Sequence, residues 1–232
     1  MTESTEIATA SSTAIAIPSR SERAAALAQR VRATSNIIKI STDGKHLVIP
    51  GLGEAPAPAD LVVLEFMAKN VYYDASKPFD PNNITPPLCA AMGFDLNDNL
   101  KPFDNAADKQ ADSCKECPMN QFGSKGAGKA CQNRRLVAVL PPDASADTDI
   151  YVLDVSATGI KGFDTIIAQM ATVAGKEPHY FKVEVFPKQA ANSRAQTWGF
   201  SNPRPLSEEA IAIMESKLDA AAAQLAQPVS FE

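Results

Sequence analysis

Residues 114–140 read CKECPMNQFGSKGAGKACQNRRLVAVL, and within this stretch the chain changes character twice. A C-x2-C pair opens it, a Gly- and Lys-rich turn follows, a further cysteine closes the turn, and an apolar strand-like run, Arg135 to Leu140, ends it. The pair is the informative part. Two cysteines on one tight turn let both thiolates meet a single tetrahedral ion at about 2.3 Å each. Working outward, Cys131 follows the Gly-rich turn and can fold back on the pair. Cys89, after Pro86-Pro87, must arrive from the far side. The full spacing is C-x24-C-x2-C-x13-C, with no cysteine outside residues 89–131.

Confinement to one window argues for a single metal centre. Two disulfides would be spread more widely, and a reducing cytosol would not keep them oxidised. Four thiolates close the coordination shell, so Cys89, Cys114, Cys117 and Cys131 are read as ligands of a structural zinc, with no position left for water or substrate. Two rivals stay open. A thioredoxin-like redox pair wants a helix after C-x2-C, and Pro118-Met119-Asn120-Gln121-Phe122-Gly123 starts one poorly. An iron–sulfur cluster also takes four cysteines, and Cys117-Pro118 suits one, but its usual spacings are more compact than x13. Residues 74 to 129 are rich in Pro, Asn, Asp and Gly and lack periodicity. A bound metal supplies the ordering energy that such a composition lacks.

Gly123 to Ala130 (GSKGAGKA) imitates G-x-x-x-x-G-K-[ST] but places Ala130 where a hydroxyl must reach magnesium, and no apolar strand leads into it. It reads instead as a reversing loop that delivers Cys131. Between Ser113 and Arg135 stand Lys115, Lys125, Lys129, Arg134 and Arg135 against Glu116 alone. In a chain of net charge −5 this is the clearest basic patch: either a solvated face or a polyanion contact.

The 232 residues are 45% hydrophobic and 21% charged, which supports a packed core and excludes wholesale disorder. No apolar run approaches the roughly 18 residues of a membrane helix. The N-terminus lacks a signal-peptide layout, so the expectation is a protein that stays in the cytoplasm where it is made. Residues 1 to about 20 read as a disordered arm and 21–33 as a short helix, giving a segment 1–33 ahead of a domain spanning 34–205. The metal-binding insertion lies at about 74–133, and 206–232 form a C-terminal helix and tail.

Within the domain, Ile37–Ile40 and His46–Ile49 flank the hairpin step Asp43-Gly44. GLGEAPAPAD reads as a loop, and Leu61 to Tyr73 as a strand bent near Lys69-Asn70. Strands follow at 135–140 and 150–155. Phe163, Ile166, Ile167, Met170 and Ala174 then repeat at helical spacing and stop at Gly175. Tyr180 to Phe186 alternates, Thr197 to Phe200 is a short strand, and a helix begins at Ser207 with the stripe Ile211, Met214, Leu218, Leu225. Short strands interrupted by one helix suit a mostly β fold with some α: an OB-like barrel with a four-cysteine zinc-knuckle insertion and a C-terminal helix. An α+β sandwich fits nearly as well.

Aromatic residues in or beside strands pack a core by default. On an open barrel face Tyr180, Trp198 and Phe200 would instead give bases a stacking platform worth roughly 1–3 kcal/mol per base. Lys182, Lys188, Arg194 and Arg204 flank these strands and favour the platform slightly. His46 and His179 have no ligand set or catalytic partners at the required spacing, so no enzyme is expected.

The block PPLC (86–89), CKECPMNQFGS (114–124) and GKACQNRR (128–135) resembles a family of tailed-phage single-stranded-DNA-binding-like proteins with a four-cysteine zinc insertion. The resemblance covers about half the chain. It implies the same four cysteines as ligands, and single-stranded DNA with replication or recombination proteins as partners. The expected function is non-enzymatic single-strand binding in phage replication or recombination. Bases would stack on Tyr180, Trp198 and Phe200, and phosphates would be neutralised by Lys125, Lys129, Arg134, Arg135 and Lys182. The alternative is a zinc-stapled protein-interaction module acting on a host or phage protein. Many single-strand binders end in an acidic tail, whereas this chain ends AQPVSFE, so recruitment through the tail is not expected.

Overall fold

The computed structural model describes residues 36–74, 76, 85–94, 100–190, 195–227 and 229. The expected arm and short helix of 1–33 lie outside the described residues. The described part is mostly β. Its strands are β1 (Ile37–Ile40), β2 (His46–Ile49), β3 (Gly53–Pro56), β4 (Ala59–Tyr72), β5 (Cys89–Gly93), β6 (Gln132–Leu140), β7 (Tyr151–Ser156), β8 (Phe181–Gln189) and β9 (Gln196–Pro205). The helix α1 (Ala157–Val173) joins β7 to β8, and α2 (Glu208–Glu215) and α3 (Leu218–Leu225) follow β9.

The strands form one sheet in the order β3-β2-β1-β7-β6-β4-β8-β9, with β5 added to β4 beside β8. All pairings are antiparallel except β1 with β7. The sheet curls into a half-barrel. Ile38, Leu47 and Ile49 from one end share a core with Val183, Val185, Trp198 and Phe200 from the other, and α1 fills that concave face with Phe163, Ile166 and Met170. The hairpin turn between β1 and β2 reaches the start of β9: a Cβ on Gly44, at φ +71°, would stand 1.9 Å from Gln196 Nε2. The opposite face packs Val62, Leu64, Met67, Ala138 and Leu140 against Met214, Ala221 and Leu225 of α2 and α3. A strand covered on both faces reads as a continuous apolar run, which is why Leu61 to Leu64 show no alternation.

A bulge between Val63 and Glu65 shifts the β4–β6 register. The extra residue reverses the parity of everything after it. Phe66 therefore turns to the concave side, edge-on to Phe163 at 5.1 Å and 81°, while Met67 joins the opposite core. The expected bend near Lys69-Asn70 is absent, and pairing continues through both residues.

Other elements depart from expectation for local reasons. β3 lies in the Gly- and Pro-rich stretch read as a loop, and is held by pairing with β2 and by Ala55 packing against the concave core. β5 lies inside the expected insertion, so that segment is partly sheet. The C-terminal helix starts as expected, with Ser207 Oγ accepting from Ala210 N, but breaks at Ser216-Lys217 into α2 and α3.

Two outcomes are expected. A Cβ on Gly159, in the first turn of α1, would meet Thr197 Oγ1 at 2.4 Å, Val155 Cγ1 at 2.9 Å and the Trp198 carbonyl at 3.2 Å. Overpacking of about 1–3 kcal/mol outweighs the helix-propensity gain of up to about 1 kcal/mol. Gly159→Ala should therefore lower the urea midpoint, and an unchanged midpoint would show that α1 can move off β9. The second concerns the exposed Asp43, whose carboxylate accepts from Ser41 Oγ (2.5 Å) and from Lys45 N (3.0 Å). These bonds, the Ser41 one first, pull its pKa from 3.8 down to about 2. With the folded-state value the lower one, its support of the turn is complete above about 4 and lost as pH falls through about 2. NMR titration of Asp43 should show that midpoint, moving upward in Ser41→Ala.

Candidate metal centre and its basic loop

Beyond the bulge, β4 carries β6 on one edge and β5 on the other. The register sets Asn70 opposite both Ala91 and Asn133, Val71 opposite Ala90 and Gln132, and Tyr72 opposite Cys89. Cys131 immediately precedes β6, so it arrives at the level of Tyr72 on the edge opposite Cys89. The sheet thus brings both ends of the insertion to one height. The C-x2-C pair lies between them. Cys114 N donates to Leu100 O at 2.9 Å, and Cys114 packs with Ala68, Ala91 and Leu100. A 3-10 turn, Pro118–Asn120, follows Cys117, and Asn120 N donates to Cys117 O. Cys131 N donates to Met119 O at 2.8 Å, which returns the Gly-rich loop to the pair.

All four cysteines are buried and none is in a disulfide. Burial pushes the Cys131 thiol up to about 12, and the nearness of Cys114, Cys117 and Cys89 adds to the rise. Cys89 is also raised, first by burial; a hydrogen bond from the Gln110 backbone opposes this, and Cys117 adds to it. The other three thiols thus lie within electrostatic range of Cys131. They do not close fully: among the described residues no group of three or more His, Cys, Asp or Glu stands in metal-holding geometry. The donor chemistry nonetheless fits a soft closed-shell ion, with four buried sulfurs.

A ladder of asparagines ties this region to the sheet. Asn133 Nδ2 donates to Asn70 Oδ1 at 2.6 Å and to Asn120 Oδ1 at 2.9 Å, and Asn120 Nδ2 donates to Cys114 O at 2.8 Å. Lys129 Nζ reaches the same Asn120 Oδ1 at 3.3 Å. Asn70 and Asn120 are buried. Asparagines in a loop-like sequence read as turn residues, so nothing in the chain marks these as a cross-strand set.

The structure separates the residues expected to contact DNA. Trp198, 4% exposed, and Phe200, 9% exposed, belong to the concave core, where Phe200 meets Phe163 edge-on at 5.1 Å. They face α1, so the stacking platform expected of them is corrected to core packing. Tyr180 sits on a 3-10 turn, Pro178–Tyr180, donates to Glu215 Oε1 at 3.1 Å and carries Lys176 over its ring. Arg134 pairs with Asp154 and Arg135 with Asp164 (3.5 Å). Lys182 pairs with Asp60 (3.1 Å), which also takes Arg204. Lys125 and Lys129 alone of the expected set stand on the loop. Lys125 is exposed and makes no ion pair with a described residue. One residue escaped sequence reasoning: Phe122, 81% exposed on the same loop. Its only signal was an aromatic in a Gly-rich stretch with no periodic partner.

Replacing Asn133 by Ala leaves two buried carbonyl oxygens, on Asn70 and Asn120, without this donor. A loss of about 1–3 kcal/mol is expected, with faster hydrogen exchange across 114–131. Unchanged exchange there would mean that the ladder does not hold the insertion to the sheet. Compared with family models, curated proteins and solved structures, the chain matches none of them.

Proposed function

We propose that this protein binds single-stranded DNA, without catalysing a reaction, in phage replication or recombination. Its contact surface is the loop of a zinc-stapled insertion. The observation that carries this reading is the division of its cations. Of the cations expected to meet phosphate, Arg134, Arg135 and Lys182 are held by Asp154, Asp164 and Asp60, whereas Lys125, and Lys115 of the same basic patch, are exposed and make no ion pair with a described residue. Unpaired lysines exchange counterions for phosphates without first breaking a protein ion pair. The zinc would be held by Cys89, Cys114, Cys117 and Cys131. Bound there it supplies folding energy for a region whose own core is small. The curl of the sheet, and the placing of α1 between β7 and β8 on its concave side, support an OB-like relationship. The helices on the opposite face lie outside that pattern.

The second reading, a protein-interaction module built on the same zinc staple, draws on the net charge of −5.

Untagged protein should carry one zinc per chain and be colourless. Anisotropy of a labelled oligo-dT should rise on titration at low salt, with affinity falling as salt increases with a log–log slope of about −1.4 for two phosphate contacts. Because Trp198 is buried, its emission should change little. Cys114→Ser with Cys117→Ser should release the zinc and make residues 100–131 protease-sensitive while the sheet survives. Absence of oligo-dT binding at low salt, with a protein pull-down that persists after nuclease, would favour the interaction module. Brown protein absorbing near 400 nm would replace zinc by an iron–sulfur cluster.

A further inference from the structure

The tip of the insertion carries an aromatic ring in an arrangement that core packing does not explain. Phe122 is 81% exposed, and the other exposed large hydrophobic residues among those described, Leu52, Tyr73 and Phe94, all lie outside residues 100–190. Its backbone is held firmly. Gly123 N and Lys125 N both donate to Gly128 O, at 2.9 and 3.2 Å, and Gly128 N returns a bond to Lys125 O at 3.0 Å. Ser124 Oγ lies 3.0 Å from Met119 O and 2.7 Å from Gln121 O, and accepts from Ala130 N at 2.9 Å. The ring is braced as well. Lys129 Nζ stands over it, 5.2 Å from the centroid, and the same ammonium reaches Asn120 Oδ1 in the buried asparagine ladder. One face of the phenyl is thus backed by a tethered cation.

Resting on the single-strand-binding reading above, we infer that Phe122 is the base-stacking residue of this protein. A nucleobase of single-stranded DNA stacks on the exposed ring, its flanking phosphates lying against Lys125 and Lys115. Charge and size select this occupant. A protein partner seeks a contiguous apolar patch with a polar rim. Here a single planar apolar group stands among lysines, which matches one base between two phosphates. Bases in a duplex already stack on each other, so a ring at a loop tip takes only an unstacked one. The rigid loop adds to affinity, because little freedom is lost when the base arrives.

The test uses the full-length, zinc-loaded chain with fluorescein-labelled oligo-dT and a duplex of equal length. Phe122→Ala should weaken oligo-dT binding about ten-fold or more while leaving its salt slope and the Tm unchanged. Phe122→Trp should restore affinity, and the introduced indole should be quenched as oligo-dT binds. Lys125→Ala should instead reduce the salt slope by about 0.7. If the wild-type protein binds oligo-dT and Phe122→Ala binds it equally well, this inference is wrong while the single-strand reading stands. If the wild type does not bind at all, the single-strand reading has failed first. Equal loss of duplex and oligo-dT binding in Phe122→Ala, or loss of a captured protein with DNA affinity intact, would also overturn it.

Discussion

The backbone hydrogen bonding of β4 is the constraint from which the rest of the structure follows. Its 14 residues, Ala59–Tyr72, extend about 45 Å, more than twice a common strand. That length lets β8 and β5 share one edge in series while β6 runs along the other. The first half is buried on both faces, between α1 and the C-terminal helices. The second half runs on past the bulge and carries Ala68 and Asn70 to the insertion. The bulge decides which side chains arrive there. Without it, Phe66 would leave the concave core, and Asn70 would face away from the cysteine region.

Part of the charge on the sheet is paired off across neighbouring elements. Arg134 with Asp154, Lys182 with Asp60 and Arg204 with Glu184 pair across neighbouring strands, and Arg204 also reaches past β8 to Asp60. Such pairs at partly exposed sites add little stability, typically under about 1 kcal/mol each. Their effect is on specificity, since a phosphate approaching the sheet must displace a carboxylate already in place. The segment 113–131 differs because its one acid, Glu116, is outnumbered by Lys115, Lys125 and Lys129. The same chain therefore combines paired cations on β6, β8 and β9 with a cationic loop.

The thiol cluster has a related logic. Burial first, and neighbouring thiols second, raise the pKa of Cys131 and Cys89, so without a compensating charge these two favour the protonated, neutral form. A divalent ion reverses this preference by compensating the thiolate charge inside the protein. The asparagine ladder and the Cys131–Met119 backbone bond place the sulfurs near one another, and the proposed zinc would draw in the remaining distance. An insertion anchored in this way presents its loop on a firm base.

Several features were readable from the chain because they depend on neighbours in sequence. Asp43-Gly44 makes a turn whatever surrounds it, Ser207 caps a helix through Ala210 three residues on, and β8 alternates because one of its faces is apolar. What escaped reading depends on partners distant in sequence. β3 and β5 are strands because β2 and β4 offer them hydrogen bonds, not through their own propensities. The positive count of residues 113–135 was correct, but Asp154 and Asp164 were needed to show which of those charges remain available. Trp198 and Phe200 share a strand face in either account, and only the curl of the sheet over α1 decided that this face is interior. Residue type and local spacing set what each segment is able to do; burial and pairing, which are properties of the curled sheet, selected which of those abilities remain exposed to solvent.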